Sequence, residues 1–193
     1  MEYEKVKKEV EKILSKERFE HSAGVARKAE KLANKYGENP EMAKLIGITH
    51  DIAKEFTDEE YLKYVKENNI EIDEIERNNL KLLHAKVGAD ICKKRFNFSE
   101  QMVNAIKYHT TGNVKMDNMA KIVYLADKTE DGRKYDGIEE GRKQVDLGLD
   151  EGMLYYLIRG IRKSLEKGKL IHGDSVDLYN KLLIEENIWA FKL

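Results

Sequence analysis

Cysteine and proline are almost absent from this chain of 193 residues, which contains one of each. The single cysteine, Cys92, excludes a disulfide within the chain and suits a reducing compartment. Because it lies among apolar residues at helical spacing, we expect a small buried hydrophobe rather than a catalytic thiol. The single proline, Pro40, leaves long stretches without the residue that most strongly interrupts helices.

The chain also lacks an excess of charge of either sign and any long apolar run. Lys and Arg number 35 against 36 Asp and Glu, so the basic surface typical of nucleic-acid-binding proteins is missing and we expect no nucleic-acid partner. No stretch reaches the roughly 20 apolar residues that span a bilayer. The charged N-terminus has no signal-like apolar core. We therefore expect a cytoplasmic protein without a membrane partner.

Apolar residues recur at intervals of three and four along nearly the whole chain, which is the pattern of amphipathic helices. Alternating runs of β-branched and aromatic residues, which would indicate strands, are missing. The pattern predicts an all-α fold. Helices are expected at about 2–15, 17–36, 40–55, 57–68, 80–95, 99–110, 116–130, 137–146, 150–167 and 173–187.

Particular residues mark the ends of several predicted helices. Gly37 is a typical residue with which to end the second helix. Asn39 and Pro40 predict the start of the third, with Asn39 as its cap and Pro40 in its first turn. Thr57 and Glu60 have the spacing of a capping box and predict the start of the fourth.

The links between the predicted helices are short, and the sequence contains no repeat, low-complexity tract or linker. We therefore expect residues 1–193 to form a single compact domain, with a core at about 15–135 and further helices at about 137–193 packed on it. Trp189 and Phe191 are expected to pack onto this body or onto a partner subunit. The oligomeric state stays open, with a homodimer as one alternative.

Four of the five histidines and two aspartates lie on core-facing apolar stripes of the predicted helices. Each histidine could be a core residue that is hydrogen-bonded to a backbone carbonyl. Inward-facing polar residues on five helices favour the alternative of a shared metal site, because burying each of them alone is costly. His172 lies in a predicted loop and is left out. The candidate ligands are His21, His50, Asp51, His84, His109 and Asp127.

The order of these residues resembles the H…HD…D signature of the HD-domain phosphohydrolases, in which four such residues bind a divalent metal. The two further histidines between the HD pair and the last aspartate resemble the binuclear branch of that family. The resemblance implies an HD-domain helical bundle with two divalent transition metal ions per chain. One ion would be held by His21, His50, Asp51 and Asp127, and the other by Asp51, His84 and His109.

Five local motifs resemble the YqeK-type bacterial HD proteins, which are symmetrical bis(5′-nucleosyl)-tetraphosphatases. The resemblance covers about 15–165 and implies cleavage of diadenosine tetraphosphate into two ADP, with iron as the metal and manganese or zinc as alternatives. One departure is that Asp131 follows Glu130, where the family usually has proline. The motifs are RFEHSAGV (18–25), THDIAK (49–54), LLHAKVGA (82–89), YHTTG (108–112) and LADKTEDGR (125–133).

The implied reaction is in-line attack on the tetraphosphate by a hydroxide that bridges the two metals. A polyphosphate substrate also needs cations, and three basic residues lie close to candidate ligands in sequence. We assign catalytic roles to Asp51, Lys54 and Arg133. The hydroxyl and backbone groups after His109 could contact phosphate, or could simply close a helix. The candidate substrate contacts are Arg18, Lys54, Thr110, Thr111, Gly112 and Arg133.

The sequence is also compatible with other functions. The same site could serve another HD-type nucleotide phosphohydrolase or a phosphodiesterase. A function of a different class is a nucleotide-binding regulator without catalytic activity, which would bind no metal or would bind it without turnover. A ferritin-like di-iron bundle would require Glu-x-x-His pairs, and the candidate ligands do not have that pattern.

Overall fold

The computed structural model describes residues 2–185. Within that range the chain is helical and contains no strand, so the all-α prediction is confirmed. The predicted end of the last helix at residue 187 lies outside the described residues, as do Trp189 and Phe191. None of the described helices is long and apolar enough to cross a membrane. In chain order the helices are α1 (Tyr3–Ile13), α2 (Lys16–Tyr36), α3 (Pro40–Thr49), α4 (Asp58–Glu67), α5 (Glu74–Asn78), α6 (Leu83–Phe96), α7 (Glu100–Tyr108), α8 (Asn118–Thr129), α9 (Ile138–Leu147), α10 (Leu149–Glu166) and α11 (Gly173–Glu185).

Several predicted helix ends are confirmed by their capping contacts. Gly37 ends α2 with a φ of 74°, a left-handed conformation that favours glycine. The Asn39 side chain accepts a hydrogen bond from the Met42 N–H at the start of α3. Thr57 and Glu60 form the reciprocal hydrogen bonds of a capping box at the start of α4. The short α5 was not predicted, because five residues carry too little periodicity to be recognised.

The prediction that the third helix continues to about residue 55 is wrong, because α3 ends at Thr49 and residues 51–55 form tight turns. Side chains at the helix end provide the physical reason. The Thr49 hydroxyl contacts the Ile46 carbonyl at 3.1 Å, and Nδ1 of His50 donates to the Gly47 carbonyl at 2.8 Å. Carbonyls at a helix end have no partner within the helix, and these donors provide one.

The helices that carry the candidate ligands pack into one hydrophobic core. α2 and α3 approach very closely at Gly47, where an added Cβ would lie 2.6 Å from the Cα of Ala26. α8 passes through the middle of the core, with Ile122 and Leu125 fully buried. Cys92 on α6 is also buried, which confirms the predicted small hydrophobe, and burial raises the pKa of its thiol to about 12. The single-domain organisation stays a prediction.

We expect Gly47→Ala to lower the free energy of unfolding by roughly 1–3 kcal/mol, because its methyl group would collide with the backbone of α2. The higher helix propensity of alanine alone would instead stabilise the protein, so a loss of stability would reflect the collision. Gly160→Ala in α10 is the matched control, since no atom lies within 4 Å of its added Cβ, and it should be neutral or stabilising. Urea denaturation of both variants measures the difference. A Gly47→Ala variant as stable as the wild type would contradict this account of the close packing.

Candidate metal centre

The fold brings all six candidate ligands together in the core. Five of them are between 0 and 6% exposed, and the side chain of the sixth, His21, is 12% exposed. His50 and His109 each directly follow the last residue of a helix, and Asp51 follows His50, so three of the ligands lie just beyond helix ends. The ligands are His21 within α2, His50 and Asp51 after α3, His84 at the start of α6, His109 after α7, and Asp127 near the end of α8.

The first group of ligand atoms surrounds one oxygen of Asp127. Nε2 of His21 lies 3.1 Å from Oδ1 of Asp127, and Nε2 of His50 lies 3.8 Å from the same oxygen. Oδ2 of Asp51 lies 3.6 Å from Nε2 of His50. The atoms of His21, His50 and Asp127 therefore lie close enough to share one ion, and Asp51 contacts this set through His50.

The second group of ligand atoms surrounds the other oxygen of Asp51. Oδ1 of Asp51 lies 3.4 Å from Nε2 of His84 and 3.4 Å from Nε2 of His109. The two imidazole nitrogens are 3.1 Å apart. Asp51 thus directs one oxygen toward each group, which is the arrangement a carboxylate needs in order to bridge two metal ions.

Three of the histidines use their second ring nitrogen to contact the backbone. Nδ1 of His50 lies 2.8 Å from the Gly47 carbonyl, and His84 and His109 make equivalent contacts of 2.5 and 2.7 Å with the carbonyl three residues earlier. A carbonyl only accepts, so each Nδ1 carries the proton and each Nε2 offers its lone pair to the centre. The predicted alternative of carbonyl-bonded core histidines is therefore compatible with a metal site, because the two contacts use different nitrogens.

Two buried polar atoms at the centre, Nε2 of His50 and Oδ1 of Asp51, have no hydrogen-bond partner. Buried polar atoms are nearly always paired, because leaving them without a partner is costly. A cation would satisfy both atoms. Imidazole nitrogen with carboxylate oxygen is a donor set that suits divalent transition metals, so the residues fit such an ion.

The protonation states favoured by the surroundings are those that bind metal. Burial lowers the pKa of His50 to about 4 and holds that of His84 well below its usual range, so both rings are neutral. Burial alone would raise the pKa of Asp51, but His50, His109 and Lys54 outweigh it and leave the carboxyl pKa well below its ordinary value. Neutral imidazoles and ionised carboxylates need to lose no proton before they coordinate a metal.

Basic side chains surround the two carboxylates. Nη1 of Arg18 lies 2.9 Å and Nζ of Lys54 lies 3.7 Å from the oxygens of Asp51. Arg133 donates from Nη2 to Oδ1 of Asp127 at 2.5 Å. The three basic side chains are each about one-third exposed, between 32 and 36%. They can therefore contact the buried carboxylates and a ligand at the surface.

The residues that follow His109 are placed differently from one another. Oγ1 of Thr110 lies 3.0 Å from Nε2 of His84 and 3.1 Å from Nε2 of His109, so its hydroxyl is at the second group. Thr111 donates to the carbonyl of Gly112 and lines a neighbouring cavity. Gly112 has a φ of 72°, and a side chain there would collide with α11. The structure thus brings Thr110 to the centre and gives Gly112 a role in ending the turn after α7.

Sequence reasoning missed Lys128 and Glu130 as neighbours of the centre. Nζ of Lys128 lies 2.7 Å from Oδ2 of Asp127, and Oε1 of Glu130 lies 3.3 Å from Nδ1 of His21. Both belong to the motif that contains Asp127, and their charges next to a candidate ligand were the available signal. His172 lies apart from the centre.

Two cavities adjoin the centre. One of about 610 Å³ is lined in part by Arg18, His21 and Arg133. The other, of about 210 Å³, is lined in part by Thr110 and Tyr124. An elongated anionic ligand could therefore reach the centre from two sides.

Residues 18–132 match the HD domain family, and every candidate ligand lies within that range. The chain therefore belongs to the HD domain family, for which binding of a divalent metal ion is expected. The histidine and aspartate cluster described above is compatible with that chemistry.

More particular similarities cover nearly the whole chain. A relative from Halalkalibacterium halodurans named "Bis(5'-nucleosyl)-tetraphosphatase, symmetrical" is 33% identical over 90% of this chain and 92% of its own length. A relative from Bacillus subtilis with the same name is 29% identical over 90% and 94%. The crystal structure of a predicted HD superfamily hydrolase involved in NAD metabolism, from Clostridium acetobutylicum, superimposes with a TM-score of 0.92 at 32% identity, over 96% of this chain and 98% of that one.

Metal content should separate the roles of the ligands. We expect Asp51→Ala to lose most of both metal ions, since its carboxylate faces both groups. His84→Ala should retain one ion, since it faces only the second group. Elemental analysis of the purified variants gives the number of ions per chain, with Asp131→Asn, at a 76% exposed side chain, as a control outside the centre. Wild-type metal content in Asp51→Ala would remove this residue from the site, and two ions in His84→Ala would make it a core residue only.

The metal-free protein should lose stability as the pH falls from 7 toward 4. His50 has a pKa of about 4 in the folded chain against an ordinary value of 6.5. Between these values the unfolded chain binds a proton that the folded chain does not, so stability falls, by on the order of 3 kcal/mol at pH 4 from His50 alone. The lowered pKa of His84 acts in the same direction. The lowered pKa values of Asp51 and Asp127 act only below their ordinary value of 3.8. Urea unfolding at pH 7, 6 and 5 tests this, and a constant free energy of unfolding would contradict it.

Proposed function

We propose that this protein is a metal-dependent phosphohydrolase that cleaves diadenosine tetraphosphate, or a related dinucleoside tetraphosphate, symmetrically into two nucleoside diphosphates. The observation that carries the proposal is the buried carboxylate of Asp51, which directs one oxygen toward each of two ligand groups. The names of the relatives that align over 90% of the chain supply the substrate class.

We assign two metal ions to the centre, with iron as the first choice and manganese or zinc as alternatives. When bound, a pair of such ions lowers the pKa of a water molecule and polarises phosphoryl oxygens. The neutral imidazoles and ionised carboxylates of the chain would hold them. The first ion is assigned to His21, His50, Asp51 and Asp127, and the second to Asp51, His84 and His109.

The basic residues around the centre would orient the tetraphosphate. Arg18 and Arg133 can offer paired N–H groups to phosphate oxygens, and Lys54 can offer a point charge. Lys128 adds a fourth positive charge, held beside Asp127. Each of these side chains is partly exposed, so it can reach a bound substrate. Lys54 would first leave Nε2 of His84, which its Nζ contacts at 2.8 Å.

The position of the centre between two cavities supports cleavage in the middle of a long substrate. The larger cavity meets the centre at Arg18 and Arg133, and the smaller one meets it at Thr110. A substrate with a nucleoside at each end would place its phosphates between the cavities. The departing nucleoside diphosphate is a stable anion, so the chain need not supply a strong general acid.

Product analysis tests the proposal. The metal-loaded protein incubated with diadenosine tetraphosphate should give ADP as its sole nucleotide product, separated by ion-exchange chromatography. Asp51→Ala is the control for contaminating activity and should give none. ATP together with AMP would show asymmetric cleavage, and an absence of turnover with both ions bound would favour a regulator without catalytic activity.

A further inference from the structure

Glu130 is a buried carboxylate to which the proposed chemistry gives no direct part. It is 6% exposed, and it lies just after the end of α8. Its Oε1 is 3.3 Å from Nδ1 of His21, and its Oε2 accepts a hydrogen bond of 2.6 Å from the Gly132 N–H. A buried carboxylate needs such partners, so the contact with His21 is part of what keeps Glu130 in place.

His21 needs an external acceptor because of its position in the chain. The other three histidines of the centre donate from Nδ1 to a backbone carbonyl three residues earlier. His21 instead lies inside the 21-residue helix α2, where backbone carbonyls accept the hydrogen bonds of the helix itself. Glu130, which is 109 residues away in sequence, provides the acceptor that the helix does not.

Two glycines leave the space that the carboxylate occupies. A Cβ at Gly24, one turn after His21 on α2, would lie 2.6 Å from Oε2 of Glu130, and a Cβ at Gly132 would lie 2.9 Å from it. Nη2 of Arg142 donates to the backbone carbonyl of Glu130 at 3.1 Å and fixes the chain at this point. The two glycines therefore leave room for the carboxylate beside His21, and the Gly132 N–H and Arg142 fix its position.

We propose that Glu130 is a positioning residue for the metal centre. By accepting the Nδ1 proton of His21, it holds the ring in the tautomer and orientation that direct Nε2 toward Asp127 and the first ligand group. A carboxylate behind a coordinating imidazole also makes the ring a stronger ligand. This inference rests on the proposed role of His21 as a metal ligand.

The experiment measures metal affinity and the tautomer of His21 separately from turnover. Mn²⁺ is titrated into the metal-free full-length protein in competition with a chelator. Glu130→Ala should bind the ion at the first group about 10–100-fold more weakly, and the ion at the second group as in the wild type. NMR of ¹⁵N-labelled histidine in the metal-free protein should show less of the Nδ1–H tautomer of His21 in Glu130→Ala than in the wild type, because Oδ1 of Asp127, 3.1 Å from Nε2, is then the remaining carboxylate acceptor for the ring.

Three further variants separate positioning from general structural damage. Asp131→Asn removes a charge at the neighbouring position, where the side chain is 76% exposed, and should behave as wild type. Glu130→Gln keeps an oxygen acceptor and should restore most of the affinity. Gly24→Ala should favour the helix by propensity, yet weaken the first ion because its methyl group displaces Glu130.

His21→Ala distinguishes a failure of this inference from a failure of the proposed metal site. If His21→Ala binds both ions as the wild type does, His21 is no ligand and both proposals about it are wrong. If His21→Ala loses affinity while Glu130→Ala and Gly24→Ala keep wild-type affinity and tautomer, the metal site stands and the positioning role is wrong. Weakened first-ion binding in all three, with Asp131→Asn unchanged, supports the role.

Discussion

The carboxylate of Asp51 lies inside the protein with its residue 3% exposed, and its two oxygens face two different groups of imidazoles. Ionising a group at that depth is unfavourable unless positive charge or hydrogen-bond donors surround it. The nearby fold meets this requirement. α3 ends at Thr49 so that Asp51 can turn inward, and α6 and the end of α7 bring His84 and His109 to it.

Each of the two buried carboxylates is approached by two basic side chains. Arg18 and Lys54 approach Asp51, and Lys128 and Arg133 approach Asp127. Because each of these cations also reaches the surface, one set of side chains can stabilise the buried carboxylates and attract a polyanion. Truncating any one of them would therefore change both the electrostatics of the centre and the binding of substrate, so a loss of rate alone would not identify a phosphate contact.

Local sequence patterns predict the helix ends that depend only on neighbouring residues, such as the end of α2 at Gly37 and the capping box of α4. The predicted end of α3 is wrong, because the side chains of Thr49 and His50 bond the last carbonyls of the helix, which periodicity does not reveal. The candidate ligands were found because polar residues replaced apolar ones on inward stripes. The contact of Glu130 with His21 crosses the chain and depends on the geometry beyond α8, so no local pattern contains it.

The contacts of the centre join residues that lie at very different distances along the chain. The contact of Arg18 with Asp51 joins residues 33 apart, and that of His84 with His109 joins residues 25 apart, whereas His21 and Glu130 are 109 apart. Closing a longer loop costs more chain entropy. During synthesis, a nascent chain that ends before α8 already contains every ligand of the second group but lacks Asp127 and Glu130. The two halves of the centre thus become available in order, and the first group is completed last.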